Sequence, residues 1–164
     1  MTLRSAIRPA AALATLALAL AFVPAAHADL ALGDRAPMTD VKMKNVDGKD
    51  VTIAGAAGKK GTLVLFTCNA CPWVKMWEKR VAGIGNATAA AGLGVIAINS
   101  NDPSVNAEDG FAEMQKRAKS LGVKFPYVVD ATSEVARAFG ATRTPEAFVF
   151  DAAGKLVYHG TVDD

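Results

Sequence analysis

Cysteine and histidine are scarce in this chain, with two of each among 164 residues. Two sulfurs cannot form a disulfide-rich scaffold. One of the histidines, His27, lies near the amino end, so no multi-ligand metal cage can be assembled from Cys and His. An excess of one charge is also missing. The chain carries 18 Lys and Arg against 16 Asp and Glu, and Arg4 and Arg8 sit in an amino-terminal stretch with no acid, which leaves the remainder balanced. A neutral body argues against nucleic acid or an anionic membrane surface as partner. No apolar run reaches the ~20 residues of a spanning helix. The composition itself, 51% hydrophobic and 21% charged, is globular and excludes a disordered, collagen-like or coiled-coil chain, and the length suits one domain.

The amino end has three parts. Arg4 and Arg8 form a positive start, Ala10 to Val23 is apolar except for Thr15, and Pro24 precedes the small-x-small triplet Ala26, His27, Ala28. This is the pattern of a secretory signal peptide over residues 1–28, with cleavage after Ala28 and a mature domain over 29–164. It predicts a periplasmic or secreted bacterial protein with no membrane association once the leader is removed. In such a compartment disulfides form and persist.

Beyond the leader, Val41 to Val46 and Asp50 to Ile53 read as a β-hairpin about Asp47 and Gly48. Ala54 to Gly61 reads as a loop. It faintly resembles a phosphate loop, but it precedes its strand and lacks Ser or Thr after Lys59. Thr62 to Phe66 and Val95 to Ile98 are continuous apolar runs, the pattern of strands covered on both faces. Pro72 to about Ala91 predicts a helix with proline in its first turn. Asn99 to Asn106 predicts a loop, Phe111 to Leu121 a helix closed by Gly122, and Pro126 to Val129 a strand. Ser133 to Phe139 predicts a helix capped by Ser133 and stopped by Gly140. Ala147 to Phe150 and Lys155 to Tyr158 predict a final hairpin. Strands alternating with helices imply an α/β fold, with a central mixed sheet flanked by helices and an N-terminal β-hairpin.

The chemistry sits at Cys68-x-x-Cys71, where the first central strand meets the first long helix. A helix N-terminus carries about half a positive charge, which favours a thiolate. Cysteines of CxxC pairs at such places have pKa values of roughly 3.5 to 7.5, against about 8.5 unperturbed. Cys68 precedes the helix and is expected to be the more exposed, attacking sulfur. Cys71, a turn inside, is expected to be buried and to resolve a mixed disulfide. Half of a zinc site, a small structural disulfide or a pair of inert core residues are the plainer alternatives.

The stretch Leu63 to Pro72 (LVLFTCNACP) resembles the active-site strand and helix of thioredoxin-fold redoxins, specifically the peroxiredoxin-like branch of the alkyl hydroperoxide reductase/thiol-specific antioxidant family. Gly33 to Pro37, Asp47 to Lys49, Ile98 to Pro103, and Gly140 to Pro145 followed by Ala147 to Phe150, resemble further family motifs in the same order. The resemblance implies dithiol-disulfide activity with no cofactor beyond the cysteine pair. It implies a cis Pro145 facing Cys68, and a Thr144 backbone that pairs with the substrate chain. Partners would be protein or small-molecule thiols and disulfides, and a separate reductase or oxidase that recycles the pair. Peroxidases of the superfamily carry Thr-x-x-Cys, and here Cys68 stands in the threonine's place, which favours disulfide exchange over peroxide reduction. Family domains usually end in a further helix, so the resemblance also implies a trimmed fold or a shortened chain.

Lesser candidates surround the pair. Trp73 either borders a substrate groove or caps the core, and Trp77 reads as core. Lys75 and Arg143 are candidates for favouring a thiolate, and Glu146 either serves proton transfer or is an ordinary surface carboxylate. Asn86 begins a glycosylation sequon on a predicted helix, and His159 reads as an exposed strand residue. Two other functions fit the same residues: a thiol peroxidase using Cys71, or a copper(I) carrier using Cys68, Cys71 and His159.

Overall fold

A computed structural model describes residues 30–162. The leader predicted at 1–28 lies outside the described residues. The elements run β1 (Met43–Asn45), β2 (Asp50–Val51), α1 (Ile53–Ala56), β3 (Thr62–Phe66), α2 (Pro72–Ala90) and β4 (Gly94–Asn99). A 3-10 turn (Ala107–Asp109), α3 (Phe111–Leu121), β5 (Tyr127–Val129), α4 (Glu134–Phe139), β6 (Glu146–Phe150) and β7 (Leu156–Gly160) follow.

The strands form one seven-stranded sheet in the order β2-β1-β5-β4-β3-β6-β7. β3, β4 and β5 are parallel, and the other pairings are antiparallel. Side chains alternate across a strand, so the apolar runs of β3 and β4 feed two cores. Val64, Phe66, Ile96 and Ile98 pack with Val135 and Phe139 of α4, Ile53 of α1, and Phe148 and Phe150 of β6. Val95 and Ala97 pack on the other face with Met114 and Ala118 of α3, Phe125 and Tyr127. Parallel β3 and β4 end side by side, so the loops that leave them face each other. The site lies between those loops.

Several local expectations need correction. The segment predicted as loop from Ala54 opens with the short helix α1, because Thr52 caps it by accepting from the Gly55 amide at 2.9 Å. The predicted loop after β4 tightens into the 3-10 turn, where the Asn106 side chain accepts from the Glu108 amide. Ser133 stands at the N-cap position of α4, but its side chain makes no capping bond. Its backbone is left-handed, its hydroxyl donates to the Ser100 carbonyl, and Asp130 takes the capping role by accepting from the Ala136 amide. Gly122 and Gly140 do end their helices with positive φ. Asn86, the sequon asparagine, bridges α2 to the segment after α3 through the Gly122 carbonyl and the Lys124 amide.

Candidate active site

β3 ends at Phe66, and the Thr67 amide still donates to Ile98 on β4 at 2.9 Å. Cys68, Asn69 and Ala70 then turn the chain into α2, with Cys71 at its N-cap and Pro72 in its first turn. A proline costs nothing there, since its missing N–H had no helical partner. From the opposite side comes the loop before β6, and its Thr144–Pro145 peptide bond is cis. Both sulfurs meet Thr144. Cys68 Sγ lies 3.1 Å from its Oγ1, and the Cys71 thiol donates to its carbonyl at 3.4 Å. Neither sulfur is in a disulfide.

The expected order of exposure is reversed. Cys68 is 2% exposed, whereas Cys71 is only partly buried. Burial pushes the Cys68 thiol up, against hydrogen bonds from the Thr144 side chain and the Cys71 amide, and the charges of Asp109 and Cys71 push it further. At Cys71 burial acts in the same direction. The Val74 amide, the Thr144 side chain, the Trp73 amide and Cys68 outweigh it, so the thiol falls below its ordinary value. The reason is positional. Cys71 is the N-cap of α2, where the Trp73 and Val74 amides lower its thiol although its side chain makes no capping hydrogen bond, while Cys68 is buried just past the end of β3.

The two cationic candidates are engaged elsewhere. The Lys75 ammonium pairs with Glu108 at 2.6 Å, and the Arg143 Nε lies 3.6 Å from Glu146 Oε1. Neither is among the influences that set the two thiols. Glu146 is not a surface carboxylate. It is 1% exposed, accepts from the Thr142 and Arg143 amides, and meets His159 Nε2 at 2.8 Å. His159 stacks on Phe148 with centroids 4.1 Å apart, so it is a held residue and not a free one. Among the described residues no three His, Cys, Asp or Glu side chains form a group that could hold a metal ion. The three-ligand copper site of Cys68, Cys71 and His159 is therefore not formed.

Trp73 is 63% exposed and lines a groove of about 280 Å³ together with Trp77, Arg143, Thr144 and Pro145. Trp77 is thus half-buried at the groove and not a core residue. A second, narrow and largely apolar crevice of about 50 Å³ reaches Cys68 from between α2 and α3, along Val74, Ala82, Leu121 and Phe125.

Sequence reading missed the polar scaffold beneath the pair. Asp109 Oδ1 accepts from the Asn69 amide at 2.6 Å and the Ala70 amide at 3.2 Å. Asn69 itself donates to the Glu108 carbonyl and accepts from the Tyr127 hydroxyl, and Arg117 donates to its carbonyl. One signal was available. In parallel sheets, sites form outside the carboxyl ends of neighbouring strands, so polar residues in the loop after β4 belong beside the cysteines at the end of β3.

Comparison with known proteins agrees with this geometry. The chain is 26% identical over 130 residues to the thiol-disulfide oxidoreductase ResA of Geobacillus thermodenitrificans (strain NG80-2), covering 77% of this chain and 67% of the relative. It is similar to the crystal structure of an uncharacterized conserved protein from Geobacillus kaustophilus, at 38% identity and a TM-score of 0.78, over 82% of this chain and 71% of the other. The thioredoxin domain of a thiol-disulfide oxidoreductase from Bacteroides vulgatus superposes with a TM-score of 0.64 at 19% identity, over 80% of this chain and 89% of that one, a likeness of fold alone. The AhpC/TSA family pattern matches residues 32–159. That stretch runs through the hairpin, both sulfurs and the cis-proline to the last strand of the sheet, and the chain accordingly belongs to the AhpC/TSA family of thioredoxin-fold redoxins.

Proposed function

We propose that this redoxin is a thiol-disulfide oxidoreductase that works through Cys68 and Cys71, with Cys71 as the sulfur that attacks first. The observation that carries the reading is the shared seat on Thr144. Two reduced sulfurs meet the residue before the cis-proline, one partly exposed with its thiol lowered, the other buried with its thiol raised.

The exchange runs in two displacements. The Cys71 thiolate attacks one sulfur of a disulfide R–S–S–R′. The S–S bond breaks, R′–S⁻ leaves and takes a proton from water, and a Cys71–S–S–R mixed disulfide remains. The charge on Cys71 is then gone, which removes one of the influences holding Cys68 protonated. Cys68 gives up its proton and attacks Cys71 Sγ, releasing R–S⁻ and closing the Cys68–Cys71 disulfide. Two electrons have passed to the guest, and a partner dithiol restores the pair by the same steps in reverse. The groove of Trp73, Trp77 and Pro145 supports an extended or apolar guest beside Cys71. The leader at residues 1–28 supports action outside the cytoplasm. The guests are thiols or disulfides of proteins or small molecules, and a separate redox partner recycles the pair.

The test is a pair of substitutions in the full chain. Cys68→Ser should keep its first step and accumulate a mixed disulfide on Cys71. Cys71→Ser should lose exchange altogether. Undiminished insulin-disulfide reduction by Cys71→Ser would reject this order of attack. A second reading, a thiol peroxidase, is favoured by the lowered thiol of Cys71 at a helix N-cap. It requires peroxide-dependent turnover that survives Cys68→Ser.

A further inference from the structure

The two amides that lie between the cysteines, those of Asn69 and Ala70, both donate to one carboxylate oxygen that comes from a different loop. This oxygen, Asp109 Oδ1, also receives Asn99 Nδ2 at 3.5 Å, and Oδ2 receives Asn101 Nδ2 at 3.0 Å. Asp109 is 4% exposed, and every one of these contacts is a donated N–H. That is how an ionised carboxylate is satisfied in a protein interior. The charge of the same carboxylate adds to burial in raising the Cys68 thiol.

We propose that Asp109 is the positioning residue of the site: by clamping the Asn69–Ala70 turn it seats both sulfurs on Thr144, and its carboxylate, lying on the Cys68 side of that turn, adds to the burial that keeps Cys68 from attacking first. The inference deepens the dithiol reading above and rests on it. Geometry explains why one residue does both. The clamp must reach the turn from the loop after β4, and Cys68 is the sulfur at the sheet end of that turn. Other charges surround the cluster. Tyr127 on β5 reaches Asn69, and its hydroxyl is pushed up by burial and by the charges of Cys68 and Asp109. Arg117 on α3 reaches the Asn69 carbonyl but is paired with Glu78 on α2 at 2.5 Å. Glu108 beside Asp109 is paired with Lys75. The cations are thus matched by their own partners, and Asp109 keeps its effect on Cys68.

The experiment is iodoacetamide alkylation of the reduced full chain across pH, with tandem mass spectrometry to separate the two sulfurs. In wild type Cys71 should react first. Asp109→Asn keeps an oxygen for the two amides and removes the charge. It should lower the Cys68 midpoint and raise its alkylation rate severalfold at a fixed pH below the midpoint, the larger thiolate fraction being partly offset by weaker nucleophilicity, and should move Cys71 less. Tyr127→Phe loosens Asn69 without altering the carboxylate and should leave the Cys68 midpoint in place. Unchanged midpoints in folded Asp109→Asn, or the same shift in Tyr127→Phe, overturn the proposal.

Should Asp109→Asn not fold, the wild-type chain gives the answer. The carboxyl ¹³C resonance of Asp109 should show an inflection at the Cys68 midpoint, and a flat curve there refutes the proposal. If wild type shows this ordering but exchanges no disulfide, the dithiol reading fails while the role of Asp109 stands.

Discussion

Two chemically identical thiols separated by two residues acquire opposite properties here, because each faces a different set of N–H groups and charges. Cys71 is the N-cap of a helix whose first amides lower its thiol, and Cys68 is buried, where desolvation and the charge of Asp109 raise its own. Exchange should therefore rise with pH through the lowered value of Cys71 and level off below the ordinary cysteine range of about 8.5. Stopped-flow rates against a neutral disulfide check this, and a single inflection at or above the ordinary value would contradict it. Glu146 is a second residue whose surroundings decide its state. Burial opposes its charge, but His159 and the Thr142 and Arg143 amides prevail, and its carboxyl is lowered. A lowered carboxylate contributes stability above its unfolded value, near pH 4.3, and loses it as pH falls through the folded value. Glu146→Gln should thus cost about 1–3 kcal/mol at neutral pH. The gap from wild type in urea melts should close below about pH 4. A gap that stays constant into acid would show that charge is not what Glu146 supplies.

Among the elements, β4 and the segment after α1 approach more closely than side chains permit. A Cβ on Gly94 would collide with the Ala56 carbonyl and the Gly58 amide, and a Cβ on Gly58 would collide with the Gly94 amide. These neighbours are backbone and cannot swing away. Gly94→Ala should destabilise by about 1–3 kcal/mol or more, seen as a lower denaturant midpoint, and a midpoint equal to wild type would mean the segment shifts freely. The central strands were legible from their unbroken apolar runs, and α2 from its periodicity and leading proline. The helix α1 was not, because Ile53 reads as the end of a strand and Ala54 onward as Gly/Ala-rich loop unless Thr52 is recognised as the cap. Ser133 misled for the opposite reason: a good capping residue was present, but Asp130 reached the helix amides first.

Across the whole molecule, one face of the sheet is held by aromatic rings. Phe148 is fully buried, meets Phe66 and Phe139 edge-on at 5.7 and 5.3 Å, and carries His159 on its other side. Phe148→Ala should cost about 3–5 kcal/mol, a large part of the 5–15 kcal/mol typical of a domain. The melting temperature should fall on the order of 10 °C. A calorimetric shift of only a degree or two would mean that the cavity collapses.

The same molecule divides what is local from what is not. Strand and helix identities, the hairpin at Asp47 and Gly48, and the placement of two sulfurs at a strand-to-helix junction depend on neighbours along the chain, so the amino-acid order determined them. Which sulfur is buried, where Lys75 and Arg143 spend their charge, and that Asp109 holds the turn were decided only by tertiary structure. The contact from Asp109 to Asn69 joins residues 40 positions apart, and the one from Cys68 to Thr144 joins residues 76 apart. Burial and charge act through space, and no spacing along the chain encodes such a distance.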